Sequence, residues 1–187
     1  MPQVRLLKPR RHVDGRGWFS ETFRASDFAG ESATAFVQDN HALSHARGTL
    51  RGLHFQVPPR AQAKLIGCLK GAVFDVVVDL RRDSPTYGKW ITAELTARNG
   101  HQLFIPIGFA HGYLTLEPNT EVFYKVSDYY APECEGGLRY DDAELGIAWP
   151  LPPAELILSP RDAALGAMRD FVSPFAYDGT PLEPLGV

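Results

Sequence analysis

Residue types able to move protons occur in and beside the apolar runs of this chain: a histidine, a lysine, an aspartate and a group of tyrosines. His54 stands in "LRGLHFQ" between Leu53 and Phe55, with Arg51 three positions before it and Gln56 two after. An unperturbed imidazole has a pKa of about 6.5, so most of it is free to accept a proton at neutral pH. Lys64 opens the apolar stretch "KLIGCL", Tyr124, Tyr129 and Tyr130 fall in "VFYKVSDYY", and Asp162 ends "ILSPRD". Each also has an ordinary structural reading. A histidine among apolar neighbours can be a satisfied core residue, a lysine at a strand start can snorkel to the surface, and tyrosines are common in β cores. Asp162, three residues past Ser159, can simply sit near a helix N-terminus, where the dipole favours it. Alternation puts Tyr124 and Tyr130 on one face of an ideal strand, which suits a donor and a stacking ring in one cleft. Arg51 and His54 would face opposite ways in a regular strand, so Gly52 is expected to mark a bend or bulge that brings both toward one cleft.

The elements that must position these groups are mostly strands. From Ala63 onward, short runs rich in β-branched and aromatic residues end at Lys70-Gly71, "RRDSPTYG", Asn99-Gly100, Pro118-Asn119 and Pro132. Strands at such intervals predict a mainly β sandwich or barrel. Helix signals are few: one turn at 27–30, and "SPRDAALGAM", where Ser159 is a good N-cap followed by proline at the first helical position. With 187 residues and no linker or internal repeat, one domain over 1–187 is expected, its Pro- and Gly-rich end from about 172 loose or wrapped on the surface.

Composition narrows the function classes. Hydrophobic residues at 44% and charged residues at 22% are those of a folded globular protein. A net charge of -3 argues against a general nucleic-acid binder, so local arginines need local explanations. The basic start has no apolar stretch of signal-peptide length, and no run approaches the roughly 20 apolar residues of a membrane span. A cytoplasmic protein with no membrane partner is expected. Cys68, inside "KLIGCLKG", reads as a core thiol.

The segment "GHQLFIPIGFAHGYLT" resembles the second motif of the cupin barrel, G-x5-P-x-G-x2-H-x3-N, with Thr115 in place of the asparagine. Gly100 and Gly108 suit tight turns with positive φ, and Pro106 suits the corner that aims His111 inward. The first cupin motif, G-x5-H-x-H followed by glutamate, can be laid on Gly48 and His54. There its second histidine is Gln56, and the glutamate falls on Arg60 or Ala61. Of the usual three histidines and a carboxylate, only His54 and His111 remain, so no metal is expected. A histidine free of metal keeps its lone pair for acid–base work.

The strings "QDN", "LRGLHFQ", "AKL", "GAVFDVVVDLR", "SPTYGKW", "QLFIPIGFAHGYLTL", "VFYKVSDYY" and "ILSPRD" occur in the order and spacing of the dTDP-4-dehydrorhamnose 3,5-epimerase family. The resemblance covers roughly residues 12 to 165. It implies a metal-free cupin jelly roll without cofactor, a homodimer with exchanged N-terminal strands, and a dTDP-linked 4-keto-6-deoxy sugar as substrate, inverted at C3 and C5. Such a reaction needs a base, a group to stabilise the enolate oxygen and an acid on the opposite face. On the family pattern these are His54, Lys64 and Tyr124, with Asp162 orienting His54. Arg16 and Arg51 match diphosphate contacts, Glu21 and Gln38 contacts to thymine or deoxyribose, and Asn40, His111 and Tyr130 line the sugar or base pocket. Arg16 is expected to come from a neighbouring subunit. Ala42, Tyr140 and Arg161 depart from the common serine, tryptophan and lysine. A single-carbon epimerase, a 3,4-ketoisomerase and a non-catalytic sugar-nucleotide binder on the same scaffold are the competing readings.

Overall fold

The computed structural model describes residues 3–28 and 35–185. The chain runs through strands β1 (Arg5–Leu7), β2 (His12–Asp14), β3 (Gly17–Phe19), β4 (Gln38–Ser44), β5 (Leu50–Gln56) and β6 (Lys64–Lys70). There follow β7 (Ala72–Asp79), β8 (Trp90–Thr96), β9 (Gln102–Ile105), β10 (Phe109–Thr115), β11 (Thr120–Val126) and β12 (Glu135–Gly137), then the one-turn helix α1 (Pro160–Ala163). Two five-stranded antiparallel sheets result, ordered β1-β9-β6-β11-β4 and β12-β5-β10-β7-β8, while β2 and β3 form a separate hairpin.

The mainly β expectation holds, and the reason shows in β7. Val73 and Val77 belong to one core cluster, with Ile66, Leu103 and Val122 of the first sheet. Val76 and Val78, on the opposite face, join Leu53, Leu138 and Phe175 in a second. Both faces of the strand are covered, so its sequence is apolar almost throughout; each fully buried valine contributes roughly 1.5–3 kcal/mol. The exceptions on that strand are Asp79 at its end and Asp75, wholly buried on the face of Val73 and Val77. Strand β4 is the opposite case. Its residues alternate in exposure, yet the sequence "QDNHALS" reads as polar loop, because its inward face lines a cavity rather than the core.

The run "QLFIPIGFAHGYLTLE" is two strands. It breaks at Pro106–Gly108, so β9 lies in one sheet and β10 in the other. Gly100 (φ 62°) and Gly108 (φ 97°) have the positive φ expected of them. Strand β11 stops at Val126, so Tyr130 is not brought beside Tyr124 by alternation; it lies beyond a bend, held by its backbone N–H on Gln38 Oε1 at 3.0 Å. The helix after Ser159 is also shorter than its sequence suggests. Ser159 does cap it, accepting from the Asp162 N–H at 3.0 Å, but α1 ends at Ala163 and Gly166 bridges Leu138 instead. The 27–30 turn is part of a 3-10 turn at Ala25–Phe28, and its end lies outside the described residues. The C-terminal segment wraps: Phe175 is buried, and Leu182 and Leu185 pack on the inter-sheet core. Among the described residues no helix is long and apolar enough to cross a membrane.

Gly52 is where β5 departs from regularity. His54 pairs with His111 and Arg51 with Tyr113, so two residues of β5 face the single Gly112 and the register shifts. This is the bulge that places Arg51 and His54 in one cavity. The backbone has φ 129° at Gly52, and a Cβ there would stand 2.5 Å from the Gly112 Cα. Gly52→Ala is therefore expected to cost on the order of 3 kcal/mol, from strain and backbone overlap together. Thermal unfolding checks this; a wild-type melting temperature would refute it.

Candidate active site

Four neighbouring strands of the two sheets, β11 and β6 on one side and β5 and β10 on the other, send polar side chains into a cavity of about 360 Å³. Arg51, His54, Lys64, His111, Tyr124, Tyr130 and Asp162 all line it. An adjoining cavity of about 310 Å³ shares His54, Lys64, Tyr124, Tyr130 and Glu135 and adds Gln38 and Asn40. Nine of the eleven residues singled out from the sequence thus converge on one cleft.

His54 and Asp162 are 108 residues apart in sequence, yet His54 Nε2 donates to Asp162 Oδ1 at 2.6 Å. The cap explains how: Ser159 fixes the first turn of α1, and the turn aims Asp162 at β5. Burial alone would raise the Asp162 carboxyl. The His54 hydrogen bond and charge, with help from Ser159 and Arg161, outweigh burial and hold it below the usual range. Asp162 is then ionised and accepts from Nε2–H, which leaves Nδ1 as the ring nitrogen outside the pair.

Lys64 donates to the His54 carbonyl oxygen at 3.2 Å. Burial pushes its ammonium down to about 8, with Asp75 and Glu135 acting the other way. On β11, Tyr124 stands in the sheet opposite His54; burial raises its phenol, Arg51 offsets this in part, and Glu135 adds to it. His111 is buried and shares both oxygens of Asp75 at 3.0 Å. Burial lowers His111 and raises Asp75, and each partner partly offsets the shift of the other.

Gln56 lines the adjoining cavity, but its amide is committed to backbone groups. Its amide donates to Arg60 O at 2.6 Å and its oxygen accepts from the Ala131 N–H at 2.9 Å, stitching the segment around Tyr130 to β5. Among the described residues no three of His, Cys, Asp or Glu gather as metal ligands do.

Arg16 and Glu21 are not in this cleft. Arg16, on the β2–β3 hairpin, is 91% exposed and pairs with Asp14 at 2.6 Å; Glu21 pairs with Arg24 at 2.9 Å. The sequence reading in turn passed over Glu135 and Asp75. Glu135 accepts from Tyr130 at 2.6 Å and from Arg161, so it ties the cleft mouth together. Burial would raise its carboxyl, but those bonds and the nearby charges of Arg161 and His54 take it below the usual range. Nothing local marks Glu135 out. Asp75 did leave a signal, a lone carboxylate inside "VFDVVV". Of the three departures, Ala42 and Arg161 line the cavity, whereas Tyr140 packs with Leu50 and Leu114.

A two-sheet jelly roll whose interior cleft holds an imidazole–carboxylate pair on one wall and a phenol and a half-buried lysine on the other is a cupin-type isomerase. The chain belongs to the dTDP-4-dehydrorhamnose 3,5-epimerase family, whose model matches residues 1–170. The dTDP-4-dehydrorhamnose 3,5-epimerase of Sinorhizobium fredii is 47% identical over 176 residues, 94% of this chain and 90% of that protein. A crystal structure of the dTDP-6-deoxy-D-glucose-3,5-epimerase of Legionella pneumophila in complex with dTDP-4-keto-L-rhamnose superposes with a TM-score of 0.83 at 42% identity, covering 89% of this chain and 88% of that one. A 3'-monoepimerase from Streptomyces bikiniensis in complex with dTDP-quinovose gives 0.82 at 36% identity, covering 89% and 84%.

Proposed function

We propose that this enzyme epimerises dTDP-4-dehydro-6-deoxy-D-glucose at C3 and C5 to dTDP-4-dehydro-L-rhamnose. The observation that carries the reading is the opposition of His54, oriented by Asp162, and Tyr124 across one cavity that also holds Lys64. His54 takes the proton from C5, the C–H electron pair moves to the C4 oxygen, and the Lys64 ammonium stabilises the enolate. Tyr124 returns a proton from the opposite face, and proton exchange with water resets the pair before the same cycle at C3. Only protons move, so the reaction needs no redox partner.

In this reading Arg51 binds the diphosphate, His111 and Tyr130 line the sugar pocket, and Gln38 and Asn40 take the nucleoside in the adjoining cavity. Arg16 and Glu21 act in the cleft of a second copy. Support comes from the β2–β3 hairpin, which pairs only with itself among the described strands and exposes Val13 (77%), Trp18 (57%) and Phe19 (70%). Docked on a neighbour's sheet, the hairpin would bury them in a homodimer. The chain acts as one domain, and a nucleotide-sugar substrate fits a cytoplasmic enzyme.

Incubating dTDP-4-keto-6-deoxyglucose with the protein in deuterated water tests the reaction. Label at both C3 and C5 with formation of the L-lyxo sugar is the expected result. Label at one carbon would instead make the protein a single-carbon epimerase, the reading favoured by its likeness to a 3'-monoepimerase; a carbonyl moved to C3 would make it a ketoisomerase.

A further inference from the structure

One phenol lining the cavity has no part in the proposed chemistry. Tyr113 is 5% exposed and its ring belongs to the inter-sheet core, yet it lines the cavity that holds His54 and Lys64. Its hydroxyl bonds to none of the described residues and is not sealed from the cavity. A buried tyrosine hydroxyl ordinarily has a partner, so whatever fills the cavity must supply it.

The register locates that hydroxyl. Tyr113 lies opposite Arg51 on one side and Asp75 on the other, with the His111 ring 6.2 Å away. The titratable groups around it are Arg51, Tyr124, Asp75 and Cys68. It lines the first cavity and not the one walled by Gln38 and Asn40, so it addresses the sugar rather than the nucleoside. Ala42 also lines this cavity, and its methyl group offers the hydroxyl no hydrogen-bond partner. We propose that the Tyr113 hydroxyl holds an oxygen of the hexose and is a positioning residue that sets how C3 and C5 are presented to His54 and Tyr124. This rests on the dTDP-sugar reading above. Burial raises the Tyr113 phenol far above its ordinary range, only partly offset by Arg51. The group is therefore a neutral donor that does not compete with His54 as a base.

Tyr113→Phe removes the hydroxyl and keeps the ring in the core. KM for dTDP-4-keto-6-deoxyglucose should rise about 3- to 10-fold, the loss of one hydrogen bond. The ratio of deuterium entering C3 and C5 should shift at least about twofold, while dTDP affinity by calorimetry stays at the wild-type value. An unchanged C3:C5 ratio, whatever happens to KM, overturns the proposal. So does a loss of dTDP affinity as large as the rise in KM, which would place the hydroxyl on the nucleotide. If the wild-type protein neither binds dTDP nor exchanges protons, the dTDP-sugar reading itself fails and takes this inference with it.

Discussion

Replacing His54 with alanine is expected to lower kcat by about 1,000-fold or more, within the range that a general base contributes. Deuterium uptake at C3 and C5 should vanish together, because one imidazole serves both carbons. Affinity for dTDP should remain, since Arg51, Gln38 and Asn40 are untouched. The variant also leaves Asp162 as a buried carboxylate without its main partner, so a loss of about 1–3 kcal/mol in stability is expected alongside. Asp162→Asn separates the two effects: it keeps the base but releases its tautomer, and kcat should fall steeply with His54 still present. Proton exchange at C5 persisting at the wild-type rate in His54→Ala would sink the assignment of the base.

The second large effect is at Lys64. Stabilising an enolate oxygen in a water-poor cavity is worth about 100- to 1,000-fold in rate, so Lys64→Met should lose that much in kcat/KM. The pH profile gives an independent sign. Only the ammonium stabilises the enolate, and burial brings its titration down to about 8, so kcat/KM of the wild type should fall as pH rises through about 8. In Lys64→Met that alkaline limb should disappear. Unfolding through this group cannot mimic the limb. Between about 8 and the ordinary value of 10.5 the unfolded chain holds the Lys64 proton more tightly, so the contribution of this group to stability rises with pH over that window. A flat profile from pH 7 to 9 in the wild type would count against Lys64 as the cationic group.

Much of this site could be read before any fold was known, because the signals are local. Ser159 and Pro160 announce the turn that carries Asp162, and Gly100, Pro106 and Gly108 announce the corner that turns His111 inward. Gly52 between Arg51 and His54 predicts an irregularity, since a regular strand could not serve both residues. Other features were not legible. The strand β4 is polar because its inner face lines the cleft, and alternation of polar with polar leaves no periodic trace. Tyr130 reaches the cleft through a loop tied to Gln38 and Glu135, not through the strand that Tyr124 occupies.

What the sequence determined by itself is therefore the class of element, the turns and the kinds of side chain available for proton transfer. These follow from preferences of one residue and its few neighbours. The tertiary structure alone decided which of those side chains meet. His54 finds Asp162 across 108 residues, Glu135 gathers Tyr130 and Arg161 at the mouth, and the Tyr113 hydroxyl opens on the cavity while its ring lies in the core. It also decided that Arg16 and Glu21 stand away from their own chain's cleft. Such contacts depend on how two sheets close on each other, a balance of buried apolar area against chain entropy summed over the whole molecule, and no short stretch of sequence carries that sum.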